Sequence, residues 1–310
     1  MEYLQRLTFA LTLLGCSAVG LTEEKNFLGH PLLSGVPTKF PPLTLEQPST
    51  AWSWQLFPDG VMYPAYLANT KESRIGSTWN KDDKLGWIWD VTLGGQMPML
   101  RYGTRHSVLP QGFQLDFEGS VLLRLDVERE RDMDANDFRF GMPISYGTKQ
   151  WQWKTGYYHL SSHLGDERMI RLHKEGQPFP YGRTNYVREA WMLGVSFRPY
   201  EDVRLYAEVD FAFWLGERTK PWHFLFGAEY SPTTRWSDWG GQPFAAIHIR
   251  LLEERNYDGN LCIQCGWQWR GSRNQLFRIG LQYFTGISEQ YEYLYTNREN
   301  KIGLGFWIDW

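Results

Sequence analysis

Cysteine is nearly absent: Cys16, Cys262 and Cys265 are the only three in 310 residues. That excludes a disulfide-stapled scaffold and a four-cysteine zinc site. No internal run of 18 apolar residues occurs, which excludes membrane crossing by helices. Charge of one sign is missing too. Lys and Arg total 32 against 35 Asp and Glu, with no basic run, so nucleic acid is not an expected partner. What the chain does have is aromatic residues: 16 Trp, 17 Tyr and 18 Phe, in a polypeptide whose mean hydropathy is only −0.47. Disordered chains lack such aromatic content, and soluble enzymes of this polarity rarely carry it. Aromatic girdles at two membrane interfaces would use it.

The stretch Gln150 to His163 shows how the aromatics are arranged. Trp151, Trp153, Thr155, Tyr157, His159 and Ser161 fall on one face at period two, and Gln152, Lys154, Gly156, Tyr158 and Leu160 on the other. Period two means a strand. Tryptophans on one face and a lysine on the other is the apolar-out, polar-in pattern of a membrane barrel.

Similar segments recur from about residue 72 to the end, at Ser73–Trp79, Trp87–Leu93, Phe113–Leu125, Phe138–Tyr146, Trp151–His163, Trp191–Phe197, Val203–Phe213, Trp222–Tyr230, Ile247–Leu251, Trp267–Trp269, Phe277–Tyr283 and Ile302–Trp310. The total is twelve, an even number, as single-chain bacterial barrels require. Tight turns at 147–149, 199–202 and 271–273 alternate with long connections at 162–184 and 286–299. The short turns belong at the periplasmic rim and the long loops outside. The expected fold is therefore all-β: a transmembrane antiparallel β-barrel of about 12 strands in the outer membrane, over residues 71–310. A soluble sandwich would have to bury Arg204, Glu208, Asp210, Arg250 and Arg278 between its sheets, at high cost. In a barrel these join Asp116, Glu118, Arg124, Arg139, Lys154, Glu229 and His248, with His223, in the lumen, where opposite charges pair and narrow it.

Residues 1–20 read as an export signal, with Arg6, the apolar run Leu7 to Leu14, and Ala18-Val19-Gly20 before a cut at Leu21. Leu13-Leu14-Gly15-Cys16 offers a lipobox-like alternative. Residues 21–70 hold Pro31, Pro37, Pro41, Pro42 and Pro48 and form a non-barrel periplasmic lead or a plug. Cys262 and Cys265 in CxxC spacing are expected to close a local disulfide.

Candidate chemistry lies on the fifth strand. Starting from the turn at 147–149, a strand crosses in about 9–11 residues, so His159 and Ser161 reach the outer leaflet. There an imidazole beside a hydroxyl could activate it against an acyl carbonyl. The next strand offers Glu189 first and Asn185 second as the residue orienting His159, on outward parity. The alternative is that His159 and Ser161 only hydrogen-bond sugar or phosphate head groups. Asp166 and Glu167 in the following loop are candidate calcium ligands; no other cofactor is expected.

From about Phe57 to Trp310 the chain resembles an uncharacterised family of bacterial outer-membrane barrels. The resemblance is carried by Phe57-Pro58-Asp59-Gly60, the run from Gly156 to Glu167, Asn185-Tyr186-Val187-Arg188 and Gly227-Ala228-Glu229-Tyr230-Ser231. More remotely, His159-x-Ser161 is similar to the catalytic H-x-S of outer-membrane phospholipase A and lipid A deacylase. Those enzymes follow the serine with Asn and place an Asn or Glu twelve positions later. Here Ser162-His163 follow and His173 stands at the twelfth position. Three functions follow from these readings: a structural or lipid-binding barrel whose partners are membrane lipids and lipopolysaccharide-type head groups, a lipid acyl hydrolase, or a narrow channel.

Overall fold

The computed structural model describes residues 51–106, 108–178, 183–232, 240–271 and 273–310. The expected export signal and the proline-rich stretch through residue 50 lie outside the described residues. Thirteen strands form: β1 (Ser53–Leu56), β2 (Ile75–Asp82), β3 (Gly86–Gly103), β4 (Gly112–Asp126), β5 (Asp132–Gly147), β6 (Trp151–Leu164), β7 (Val187–Tyr200), β8 (Val203–Leu215), β9 (Trp222–Tyr230), β10 (Gln242–Leu252), β11 (Asp258–Arg270), β12 (Leu276–Ile287) and β13 (Arg298–Asp309). One helix, α1 (Asp166–Lys174), follows β6. Each of β2 to β13 pairs antiparallel with its chain neighbours, and β13 pairs back onto β2. The result is a closed twelve-stranded antiparallel barrel, and every one of the twelve expected segments is a strand of it. The extra strand, β1, was not foreseen; it pairs with the last four residues of β3, Leu100 to Gly103.

Inside and outside are reversed relative to a soluble protein. In β4, Gln114, Asp116, Glu118, Ser120 and Arg124 are buried, while Phe113 and Phe117 are exposed. Two aromatic rings edge the outer wall. At the rim carrying the short turns, Trp52 meets Tyr102, Phe113 meets Tyr146, Tyr146 stacks on Trp153, and Trp151 meets Phe197. Near the other rim, Trp79 stacks on Trp89, and Phe211 and Phe224 flank Trp222. An apolar wall between two aromatic belts is the outer surface that a bilayer requires of a barrel.

The lumen is filled rather than open. Residues 61–74 thread up through it between β1 and β2. Tyr66 Oη donates to Glu208 (2.7 Å), Leu67 N to Glu229 (2.7 Å), and Arg250 to Asn69 (2.7 Å), while Lys71 pairs with Asp137 (2.5 Å). Wall charges pair around this segment: Lys154 with Glu208 (2.7 Å), Arg139 with Glu118 (2.8 Å), and Arg278 with Asp309 (2.9 Å). Higher up, Arg124 and Lys301 share Asp90, Glu289 and Glu299. Many of the lumen charges read from the sequence therefore do pair, while Asp116 accepts from Gln96 and Gln114, Asp210 accepts from Tyr158, and Arg250 donates to Asn69. The connection between β12 and β13 folds down onto them, burying Tyr291, whose hydroxyl accepts from Arg250 (2.5 Å).

The expected local disulfide does not form. Cys262 and Cys265 are both free, the first buried and the second exposed. They lie three residues apart on β11, so the period-two alternation of a strand sends one thiol into the lumen and the other out of the wall.

Candidate functional site on the outer wall

A barrel wall facing lipid has no water to solvate a charge, so an ionisable side chain there marks a functional site by default. On the outward faces of β6 and β7, three polar side chains meet. His159 and Glu189 are register partners across the two strands. Directly opposed residues on one sheet face have Cβ atoms about 5 Å apart, and here that brings His159 Nδ1 to 2.8 Å from Glu189 Oε1. Tyr157, two residues earlier on the same face, donates its hydroxyl to the other carboxylate oxygen, Oε2. The side chains of His159 and Glu189 are partly exposed, at 31% and 23%.

This arrangement has a chemical consequence. A carboxylate that accepts from Nδ1–H fixes the imidazole tautomer and leaves Nε2 as the free, outward acceptor. Nε2 can then take a proton from a hydroxyl, or in the imidazolium form donate to a phosphate oxygen. Glu189 has no Lys or Arg partner among the described residues; its two partners are a phenol and an imidazole.

The wall beside the cluster is irregular. β8 carries a bulge opposite the step from Glu189 to Ala190, which pair with Trp214 and Ala212 and skip Phe213. A bulge puts consecutive side chains out of strict alternation. Phe213 and Trp214 accordingly are both exposed, and Phe213 packs 6.3 Å from the ring of Tyr157. The polar cluster thus lies next to an aromatic platform.

The remaining candidates are placed less favourably. Ser161 keeps the outward parity but is only 8% exposed, and no hydrogen bond joins its hydroxyl to His159 among the described residues. Asn185 precedes β7, two residues beyond Val187, the register partner of Ser161, and is exposed away from His159. Asp166 and Glu167 are exposed in the first turn of α1. Among the described residues no group of three His, Cys, Asp or Glu side chains could hold a metal ion. Sequence reasoning missed Tyr157 as a partner of Glu189, although it shares the face of His159. It also missed the aromatic pair of the bulge, for which the sequence carries no local signal.

The closed barrel and this outward cluster define the class: an outer-membrane-type β-barrel with its polar site on the wall rather than in the lumen. The match of residues 46–309 to the family described as protein of unknown function DUF1207 shows that the chain belongs to that family. No curated protein matches its sequence. In structure it is similar to outer membrane phospholipase A from Escherichia coli (TM-score 0.50, 9% identity, covering 80% of this chain and 92% of that one). The outer membrane phospholipase dimer from Salmonella typhi with bound calcium is similar to the same degree (TM-score 0.50, 10% identity, 80% and 92%). LpxR from Salmonella typhimurium aligns at a TM-score of 0.37 with 12% identity, over 77% of this chain and 100% of that one. At these identities the likeness is one of fold.

Proposed function

We propose that the protein is an outer-membrane barrel with a closed lumen, and that it engages lipid at its outer wall through Tyr157, His159 and Glu189. The observation that carries this reading is the 2.8 Å contact between His159 Nδ1 and Glu189 on the lipid-facing surface. It presents Nε2 to a head-group phosphate or an ester, with Phe213 and Trp214 beside it for an acyl chain. Membrane phospholipids and lipopolysaccharide-type head groups fit that combination of one titratable donor and an aromatic platform. The filled lumen supports a wall function over a channel, and planar-bilayer recordings of the wild type are expected to show no conductance steps.

A second reading, an acyl hydrolase, is favoured by the same contact. A carboxylate orienting an imidazole is two-thirds of a serine-esterase constellation, and Ser161 lies two residues from His159 on its face. The third link, a Ser161–His159 hydrogen bond, would have to form when lipid binds, as catalytic contacts often do. Glu189 rather than Asn185 is then the orienting residue. Asp166 and Glu167 would recruit calcium only together with oxygens supplied by the lipid.

The deciding experiment is mass spectrometry of phospholipids and lipid A incubated with the refolded protein, with and without calcium, beside Ser161→Ala and His159→Asn. Fatty acid released by the wild type and lost in both variants establishes the hydrolase. Lipid retained by the wild type and lost in His159→Asn alone, without release, establishes the binding role. Neither retention nor release, in a barrel whose heat-shifted gel mobility shows it folded, overturns both.

A further inference from the structure

The barrel wall has a window at the rim that carries the short turns. β2 is 8 residues long beside an 18-residue β3, and it pairs only with Gly86 to Thr92. β1 takes up β3 again at Leu100. Between them, among the described residues, the β3 edge from Leu93 to Met99 has no strand partner on that side; a bond from Phe57 N to Met99 O (3.0 Å) reaches it. Across the window stands Trp310. Its indole lies so close to Gly95 that a Cβ there would come within 2.8 Å of it.

An open strand edge in a wall facing lipid is costly, so this one has specific furnishing. Pro98 lacks an N–H and suits an unpaired edge. The opening leads into a slot of about 560 Å³ lined by Phe57, Pro58, Val61, Met97, Pro98 and Trp310. Its inner end is shut: Val61 is 1% exposed, and the Gln96 amide donates to Tyr63 O and Asp116. Its floor is pinned by Arg101, which donates to the carbonyls of Asp59 (3.1 Å) and Gly60 (2.7 Å). Phe57 holds a left-handed φ of 48° while its ring is exposed. That backbone is strained for an aromatic residue.

We propose that this slot binds one phospholipid of the adjoining leaflet, an acyl chain entering between Met97 and Trp310 and the phosphate meeting Arg273. The proposal rests on the membrane setting argued above but not on the His159 cluster. Three features carry it. The slot opens sideways through the wall, not into the lumen. Its volume lies in the range of small-molecule sites, roughly 300–1,000 Å³. Its mouth lies on β3 four residues before Tyr102, which joins Trp52 and Phe113 in the aromatic belt of this rim, the kind of belt that marks where head group gives way to acyl chain. Charge is complementary there. Arg273 lines the slot, is well exposed, and makes a loose contact of 3.4 Å with Asp59, itself exposed. A pair so solvated is readily exchanged for a phosphate.

The test uses the full chain folded into phosphatidylglycerol-containing vesicles, with a phospholipid carrying a photoactivatable group on its acyl chain. Labelled peptides are mapped by mass spectrometry. Label concentrated on the peptides holding Phe57 to Val61, Met97 and Trp310 supports the slot. Arg273→Gln should cut that label about fivefold, the worth of one exposed cation near an anionic surface, and leave label elsewhere on the wall unchanged. Met97→Trp should abolish it by filling the slot. If Met97→Trp does not fold, Arg273→Gln still decides. Label spread evenly around the wall would overturn the slot while upholding the membrane setting. No label anywhere would overturn both. Cross-links joining two copies at β3, in place of lipid label, would replace the lipid with a second chain and also overturn the proposal.

Discussion

Glu299 and Glu189 are both glutamates on barrel strands, yet they live under opposite conditions. Glu299 points into the lumen, where Arg124 (2.5 Å) and Lys301 (3.1 Å) both contact it and Asp90 and Glu289 share the same two cations. Glu189 points out through the wall and, among the described residues, bonds Tyr157 and His159. Inside, carboxylates are matched with full positive charges, as groups taken out of water must be. Outside, a carboxylate is kept with partners that are not permanently charged, beside an aromatic platform. The first arrangement closes and stiffens a lumen. The second leaves a histidine–glutamate pair on the outer wall, which closing the lumen does not require.

Removing one partner on each side should separate the two roles. The largest effect is expected from Arg124→Met, which strips three buried carboxylates of their shared guanidinium. Breaking a buried pair this way costs roughly 3–5 kcal/mol. Urea unfolding followed by heat-shifted gel mobility would read it, and a shift near zero would mean the lumen network is not what holds the barrel closed. Glu189→Gln should cost at most about 1 kcal/mol of stability, as partly exposed pairs do. If the wall cluster is a hydrolase, the same substitution should lower turnover by several orders of magnitude, on the order of 10⁴ where a triad acid becomes an amide. A large stability loss with unchanged lipid handling would make Glu189 structural and dissolve the contrast.

A subtler difference concerns the loop between β12 and β13. Glu292 is buried there, receiving Thr184 N at 3.3 Å with Arg183 at 3.6 Å. Burial pushes its carboxyl up to about 7, with Arg183 only partly opposing. The folded state therefore binds this proton more tightly than the unfolded chain, whose ordinary value is 4.5. Its contribution is complete below about pH 4.5 and is lost as pH rises through about 7. The protection of residues 288–297 against hydrogen exchange, relative to the base-catalysed intrinsic rate at each pH, should fall across that range in the wild type and stay constant in Glu292→Gln. The smallest effect expected is none at all: reducing agents should leave gel mobility unchanged, because Cys262 and Cys265 face opposite sides of β11. A reductant-sensitive shift of the monomer band would mean that residues 262–265 do not run as a regular strand.

Much of the barrel was legible from alternation. Lys154 against Trp153, or Arg124 against Leu123 and Leu125, can be satisfied together only if one strand face meets lipid and the other a polar interior. That is why all twelve barrel strands and the lumen residues could be read in order. β1 was not legible, since Ser53 to Leu56 is too short to show a period and pairs with a strand more than 40 residues away. The thiols misled because CxxC spacing suggests proximity, whereas on a strand an odd separation guarantees opposite faces. At the wall site, parity alone pointed to Glu189 for His159, since both face outward on adjacent strands. Parity could not say whether register would place Glu189 or Asn185 across from His159, nor that Ser161 would be covered.

By itself the sequence determined the strands, their faces and the even count, because period-two patterning is a local property that each segment carries alone. Tertiary structure decided the rest. Ring closure set the register that brings His159 to Glu189. The bulge on β8 turned Phe213 and Trp214 outward together. The short β2 left a window that Trp310 and the Phe57–Val61 segment line but do not fill. Residues 61–74 filled the lumen because they carry donors and acceptors for wall groups that stand 33 to 211 positions away. Such pairings depend on which strands become neighbours across a closed sheet, and no local pattern encodes that.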